Sequence, residues 1–132
     1  MEYFGRASVE ATEHGVFANV HECPAIEVEP GVVLRPVVGT ALLLSHVTIE
    51  PHSRATAHSH DEEQAGLVIE GTCEFVLGAQ TRMLGPGDVY LIPPGVVHEV
   101  RTGDARCVFL DVFSPPRAAL VALLEARERS SE

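Results

Sequence analysis

Short runs of β-branched and apolar residues, each closed by Gly, Pro or Asp, recur along this chain at intervals of about eight to twelve residues. That punctuation is the pattern of an all-β sandwich or barrel. The predicted strands are Val32–Val38, Thr40–Ile49, Gln64–Glu70, Thr72–Leu77, Gln80–Leu84, Asp88–Ile92, His98–Thr102 and Arg106–Phe113. Turns at "EGT", "LGAQ", "GPGD" and "RTGDA" separate them. Only the end of the chain reads as helix, over about residues 115–129. There Ser114 can cap, Pro115 fits the first turn, and Glu125 stands four residues before Arg129. Leu120, Leu123 and Leu124 form one apolar stripe, expected to pack on the barrel or on a second subunit.

With 132 residues the chain is expected to be one domain, residues 1–132, with its core over about residues 30–113. The nine cations are all arginine, and nineteen acids bring the formal charge to −10. Such a surface repels a phosphate backbone, so no nucleic-acid partner is expected. The absence of lysine excludes Schiff-base chemistry on the chain. The opening MEYFGRASVEATEHG carries acids where a secretory leader needs cations. No apolar run approaches the ~20 residues of a membrane span. A cytoplasmic protein without a membrane partner is expected. Cys23, Cys73 and Cys107 are odd in number and lack CxxC spacing, which reads as buried thiols.

Residues 55–75, "ATAHSHDEEQAGLVIEGTCEF", concentrate the chemistry. On a strand, residues i and i+2 share a face, so His58 and His60 are expected to project together. Gln64 can add an oxygen from the next strand, and His98 a third imidazole after the rigid "IPPGVV". Three imidazoles and one oxygen suit a divalent first-row ion with positions open to substrate. An isolated HxH pair is more often scaffold than ligand. Asp61, Glu62 and Glu63 read as solvated turn residues beside the site. His46 is expected either to line the cavity or to be a satisfied core residue, and His14, His21 and His52 to be exposed. The facing of Phe75, Tyr90 and Arg101 is open at this level.

The spacing of these groups resembles the cupin superfamily over roughly residues 30–117. Its first motif, G-x5-H-x-H-x3,4-E-x6-G, is matched by His58, His60, Gln64 and Gly71. Its second, G-x5-P-x-G-x2-H-x3-N, is matched by Gly87, Pro93, Gly95 and His98. His52, Gln64 and Thr102 stand where those motifs have Gly, Glu and Asn. The resemblance implies a double-stranded β-helix, the jelly-roll barrel, with a divalent ion (nickel, zinc, manganese or iron) in its mouth. A neutral amide in place of the carboxylate leaves the ion its full charge, which favours Lewis-acid work. Glu63 is the rival ligand, but its spacing to Gly71 fits less well and it faces the other way.

Gln64 and the segment "DVFSPPR" are further similar to the small cupins of pectin and alginate breakdown that ketonise unsaturated uronates. In that group the aspartate and arginine of the segment take part in the reaction. By position they are Asp111 and Arg117, and cupins of natural-product pathways can end in a similar way. The resemblance therefore implies a metal-dependent isomerase or lyase acting on a small oxygenated, carboxylated substrate, sugar-like or natural-product. An iron or copper dioxygenase and a non-catalytic binder are the alternatives. Open sheet edges and the apolar terminal helix make a homodimer the default expectation.

Overall fold

The computed structural model describes residues 9–11 and 15–130. His14, expected to be exposed, lies outside them. Among the described residues twelve strands and one 3-10 turn (Val20–Glu22) precede a single α-helix: β1 (Val9–Ala11), β2 (Val16–Ala18), β3 (Ile26–Glu29), β4 (Val32–Val38), β5 (Leu43–Ile49) and β6 (Arg54–His58). There follow β7 (Glu63–Glu70), β8 (Cys73–Leu77), β9 (Gln80–Leu84), β10 (Val89–Ile92), β11 (His98–Arg101), β12 (Cys107–Ser114) and α1 (Ala118–Ser130). One sheet has six strands in the order β10-β7-β12-β5-β4-β3, a second has four in the order β6-β11-β8-β9, and β1 pairs with β2 alone. All the ladders are antiparallel.

Alternation builds the core. Along β4 every second residue from Val32 to Val38 is buried, and along β5 Leu43, Ser45, Val47 and Ile49 are. These side chains meet Cys73, Phe75 and Val100 of the smaller sheet in one apolar cluster. Each buried Val, Leu or Ile contributes about 1.5–3 kcal/mol. The three cysteines are buried and free. Leu120 and Leu124 attach α1 to the cluster, whereas Leu123, the third member of the predicted stripe, is 41% exposed.

Three strands, β1, β2 and β3, were not predicted, and β6 was expected only as a strand carrying His58 and His60, without bounds. β3 and β6 are edge strands, where one side of the ladder is open and the apolar pattern weakens. β5 starts at Leu43 rather than Thr40, because the Gly39 amide donates to the Leu42 carbonyl (2.8 Å) and closes a turn there. Ser114 ends β12 and donates to the Ala41 carbonyl (3.0 Å), so it does not cap the helix.

Two departures from the motif pattern are explained locally. His52, where the motif has glycine, adopts φ 56°, a left-handed conformation that glycine enters without cost and other residues rarely. It is held there by its amide on the Gly103 carbonyl (2.8 Å) and its ring against Asp104 (3.0 Å). Thr102, in place of asparagine, donates its hydroxyl to the Glu50 carbonyl (2.5 Å) and accepts from the Ser53 amide (3.0 Å). A hydroxyl thus bridges the two sides of that turn.

Candidate metal centre

His58 is the last residue of β6 and pairs with His98, the first of β11. Gln64, second in β7, lies between Ile92 of β10 and Phe113 of β12. His60 is not on the strand with His58, as the sequence suggested; the strand stops first and His60 stands in the loop to β7. Its carbonyl accepts from the Gly95 amide (2.8 Å), tying that loop to the turn that delivers His98. One nitrogen from each of His58, His60 and His98 lies within 4.8 Å of the others.

Backbone carbonyls orient all three rings. Nδ1 of His58 faces the Thr56 carbonyl (2.7 Å), that of His60 the Glu62 carbonyl (3.0 Å), and that of His98 the Val96 carbonyl (2.9 Å). A ring that donates from Nδ1 leaves Nε2 as a lone pair. Burial lowers the His58 pKa, and it lowers that of His98 to about 4, so both rings are neutral at pH 7. His98 Nε2 is buried and has no hydrogen-bond partner.

The donor set fits a divalent ion. His60 Nε2 lies 3.0 Å from Gln64 Oε1. In the tautomer that donates from Nδ1 to the Glu62 carbonyl, this contact sets two acceptors face to face. A shared cation resolves that conflict, because ligands about 2.0–2.2 Å from one ion sit roughly 3 Å apart. Three imidazoles with an amide oxygen suit zinc, nickel, manganese or iron. Gln64 is buried and Glu63 exposed, so Gln64 and not its neighbour faces the imidazoles.

Asp111 faces inward beside this group, on β12 between Phe109 and Phe113, and is 5% exposed. The Tyr90 hydroxyl donates to its carboxylate (2.5 Å), and Gln64 also bonds it. Burial pushes Asp111 up to about 6, against the pull of Tyr90, Gln64 and Arg117. Burial and the Asp111 charge raise the Tyr90 phenol, which stays a donor. Gly66 makes this contact possible. It pairs with Tyr90 on one side and Asp111 on the other, and a Cβ there would meet the tyrosine ring at 2.0–2.2 Å.

Arg117 lies just before α1, with its guanidinium carbon 5.4 Å from the Phe113 ring centre and its Nε unpaired. Glu62 is buried rather than solvated, which corrects the sequence reading; Asp61 and Glu63 are exposed as expected. The Glu62 carboxylate accepts from the Ala118 amide at the start of α1 (3.0 Å) and lies 3.6 Å from His60 Nδ1. Burial opposes its ionisation, but the amide bonds, His60 and Arg117 outweigh that and hold the carboxyl below its usual value. His58, Gln64, His98, Asp111 and Arg117 all line one cavity of about 340 Å³.

His46 stands apart from this cavity. It points out from β5 and meets the exposed His21 edge to face, 5.4 Å between ring centres. Arg101 also faces out, paired with Glu74 and Glu99. Phe75 and Tyr90 face in and stack at 4.3 Å. The sequence held one hint of the Tyr90 contact: a glycine inside a strand marks a close approach of another group.

A family model for the cupin domain matches residues 45–113, just over half of the chain. The chain belongs to the cupin family. Among solved structures, this cupin is similar to KdgF from Halomonas sp., with 30% identity and a TM-score of 0.74 over 80% of this chain and 98% of that one. It is also similar to the polyketide cyclase RemF from Streptomyces resistomycificus, at 28% identity and a TM-score of 0.67 over 77% of this chain and 80% of that one. Among curated proteins, the pectin degradation protein KdgF of Dickeya dadantii is 36% identical over 64 residues, 48% of this chain and 58% of that protein. A germin-like protein of Arabidopsis thaliana is 37% identical over 78 residues, 52% of this chain. The match spans only 34% of the germin-like protein, so neither curated relative is covered over two thirds of its length.

Proposed function

We propose that this cupin is a metal-dependent isomerase or lyase that forms an enolate, or opens a ring through one, on a small carboxylated substrate. The observation that carries the reading is the buried Asp111 carboxylate sharing a cavity with the His58, Gln64 and His98 ligand atoms. Similarity to KdgF and to a polyketide cyclase supports it at the level of reaction class. A divalent ion held by His58, His60, Gln64 and His98 supplies Lewis-acid polarisation of a substrate oxygen.

The chain's own groups supply the rest. Asp111 takes a proton from the carbon next to the polarised carbonyl; the C–H pair moves into the enolate and the proton rests on the carboxyl until it is returned to carbon. Tyr90 holds one oxygen of that carboxylate and so aims the other. Arg117 pairs with the substrate carboxylate, charge to charge. Phe113 packs against both His60 and Arg117, with 5.4 Å from its ring centre to each.

Two measurements test the reading. Zinc or nickel titrated into metal-free protein should bind at one ion per chain, and His98→Ala should abolish it. The loaded protein should then exchange the proton beside the ketone of an enolisable acid for deuterium, and Asp111→Ala should bind metal yet fail to do so. Oxygen uptake coupled to substrate loss by the iron-loaded protein would overturn the proposal in favour of a dioxygenase. Metal binding without turnover of any enolisable acid would favour a binding protein.

A further inference from the structure

The walls of the cavity restrict what can occupy it. Beyond the ligand cluster, its surface is made by Val32, Leu34, Val47, Phe75, Val100 and Phe109, all of them buried core residues. On the helix side Leu120 and Leu123 close it. Outside the ligand cluster the polar side chains that reach this space are Glu29, Ser45, Thr56, Asp111 and Arg117. Each Glu29 oxygen accepts one bond from Thr56, from its amide (2.8 Å) and its hydroxyl (2.6 Å). The Asp111 carboxylate is bonded by Tyr90 and Gln64. Ser45 Oγ and Arg117 Nε remain without partners.

Resting on the reading above, which supplies a cation and Arg117 at one end, we propose that the substrate is an acid with an apolar, ring-sized body rather than a polyhydroxylated sugar acid. The anionic, enolisable end lies toward Arg117 and the imidazoles, and the hydrocarbon lies between Val47, Phe109 and Leu120. Sugar hydroxyls turned toward Val32, Leu34, Val47, Phe75, Val100 and Phe109 would face hydrocarbon, and each such unpaired group weakens binding by roughly tenfold to a hundredfold. The cavity volume of about 340 Å³ falls within the about 300–1,000 Å³ of pockets that enclose organic ligands with mostly apolar walls.

Calorimetric titration of the zinc-loaded protein with three probes tests this: pyruvate, phenylpyruvate and D-galacturonate. Phenylpyruvate should bind at least tenfold more tightly than either of the others, the excess over pyruvate reporting the apolar body. Leu123→Gln, at a position 41% exposed where folding is not at risk, should reduce that excess several-fold without changing zinc affinity. Val47→Thr, nearly equal in shape, should narrow the gap between phenylpyruvate and galacturonate. Galacturonate binding as tightly as phenylpyruvate, or no binding of phenylpyruvate, overturns the proposed substrate class. Failure of the enolate reading looks different: phenylpyruvate binds tightly but its benzylic protons do not exchange with deuterated solvent.

Discussion

Replacing Gly66 with alanine tests how the site holds its carboxylate. The new Cβ would lie 2.0 Å from Tyr90 Cζ and 2.2 Å from both Cε2 and Oη, where carbon contacts need about 3.5–4.0 Å. The ring must therefore retreat by roughly 1.5 Å, and Phe75 stacked at 4.3 Å on the same ring resists that movement. A retreat of that size opens the 2.5 Å Tyr90–Asp111 bond to about 4 Å, beyond hydrogen-bonding range. Overpacking costs about 1–3 kcal/mol, and a lost bond to a charged group about 1.5–3 kcal/mol. The sum, about 2.5–6 kcal/mol, is a large part of a domain stability of about 5–15 kcal/mol. Tyr90→Phe should lose only the hydrogen-bond share. In that background Gly66→Ala should cost the overpacking share alone, leaving a coupling of about 1.5–3 kcal/mol between the two sites. The chain has no tryptophan, so urea denaturation of the metal-free variants is best followed by circular dichroism. A Gly66→Ala cost below about 1 kcal/mol, or an equal cost in both backgrounds, would refute the argument.

Asp111 makes a pH-dependent contribution whose sign is fixed by its raised pKa. Between its ordinary value of 3.8 and about 6 the folded state binds the extra proton, so stability from this group is full below about pH 4 and lost as pH rises through 6. The loss is at most about 3 kcal/mol. Denaturation of metal-free Asp111→Asn against the parent from pH 4 to 8 should show a difference that grows and then levels above pH 7; a constant offset counts against it. Glu62→Ala removes the acceptor at the start of α1 and should cost about 1–2 kcal/mol in thermal or urea unfolding, with Glu62→Gln costing less. Gln64→Glu should bind zinc more tightly by calorimetry, as an added ligand charge requires. It should nonetheless slow proton exchange by roughly tenfold or more, because a second carboxylate then faces Asp111. Unchanged exchange would show that the neutral amide has no role.

The parts of this molecule that were legible in its sequence are those governed by short-range pattern. The buried alternation of β4 and β5 and the turns before β8 and β9 follow from period and punctuation. So does the inward facing of Gln64, Phe109, Asp111 and Phe113. Motif spacing brought out His58, His60, Gln64 and His98 as a group, and the fold brings the three imidazoles together. What stayed hidden depends on partners far along the chain. Glu62 looks like a turn acid because the amide it caps belongs to Ala118, 56 residues later. Tyr90 and Asp111 are 21 residues apart, and only the register of β10, β7 and β12 sets them on either side of Gly66. His46 carries the same residue type as the ligands but falls on the outer face of β5 by parity alone.

The groups that would grasp an ion and some of the groups that shape what lies beside it come from different stretches of polypeptide. Residues 58–98 carry every proposed ligand atom, while Arg117, Ala119, Leu120 and Leu123 reach the cavity from beyond the last strand. A tail exchanged between relatives could thus retool which molecules are admitted while the inorganic half of the chemistry stays as it was.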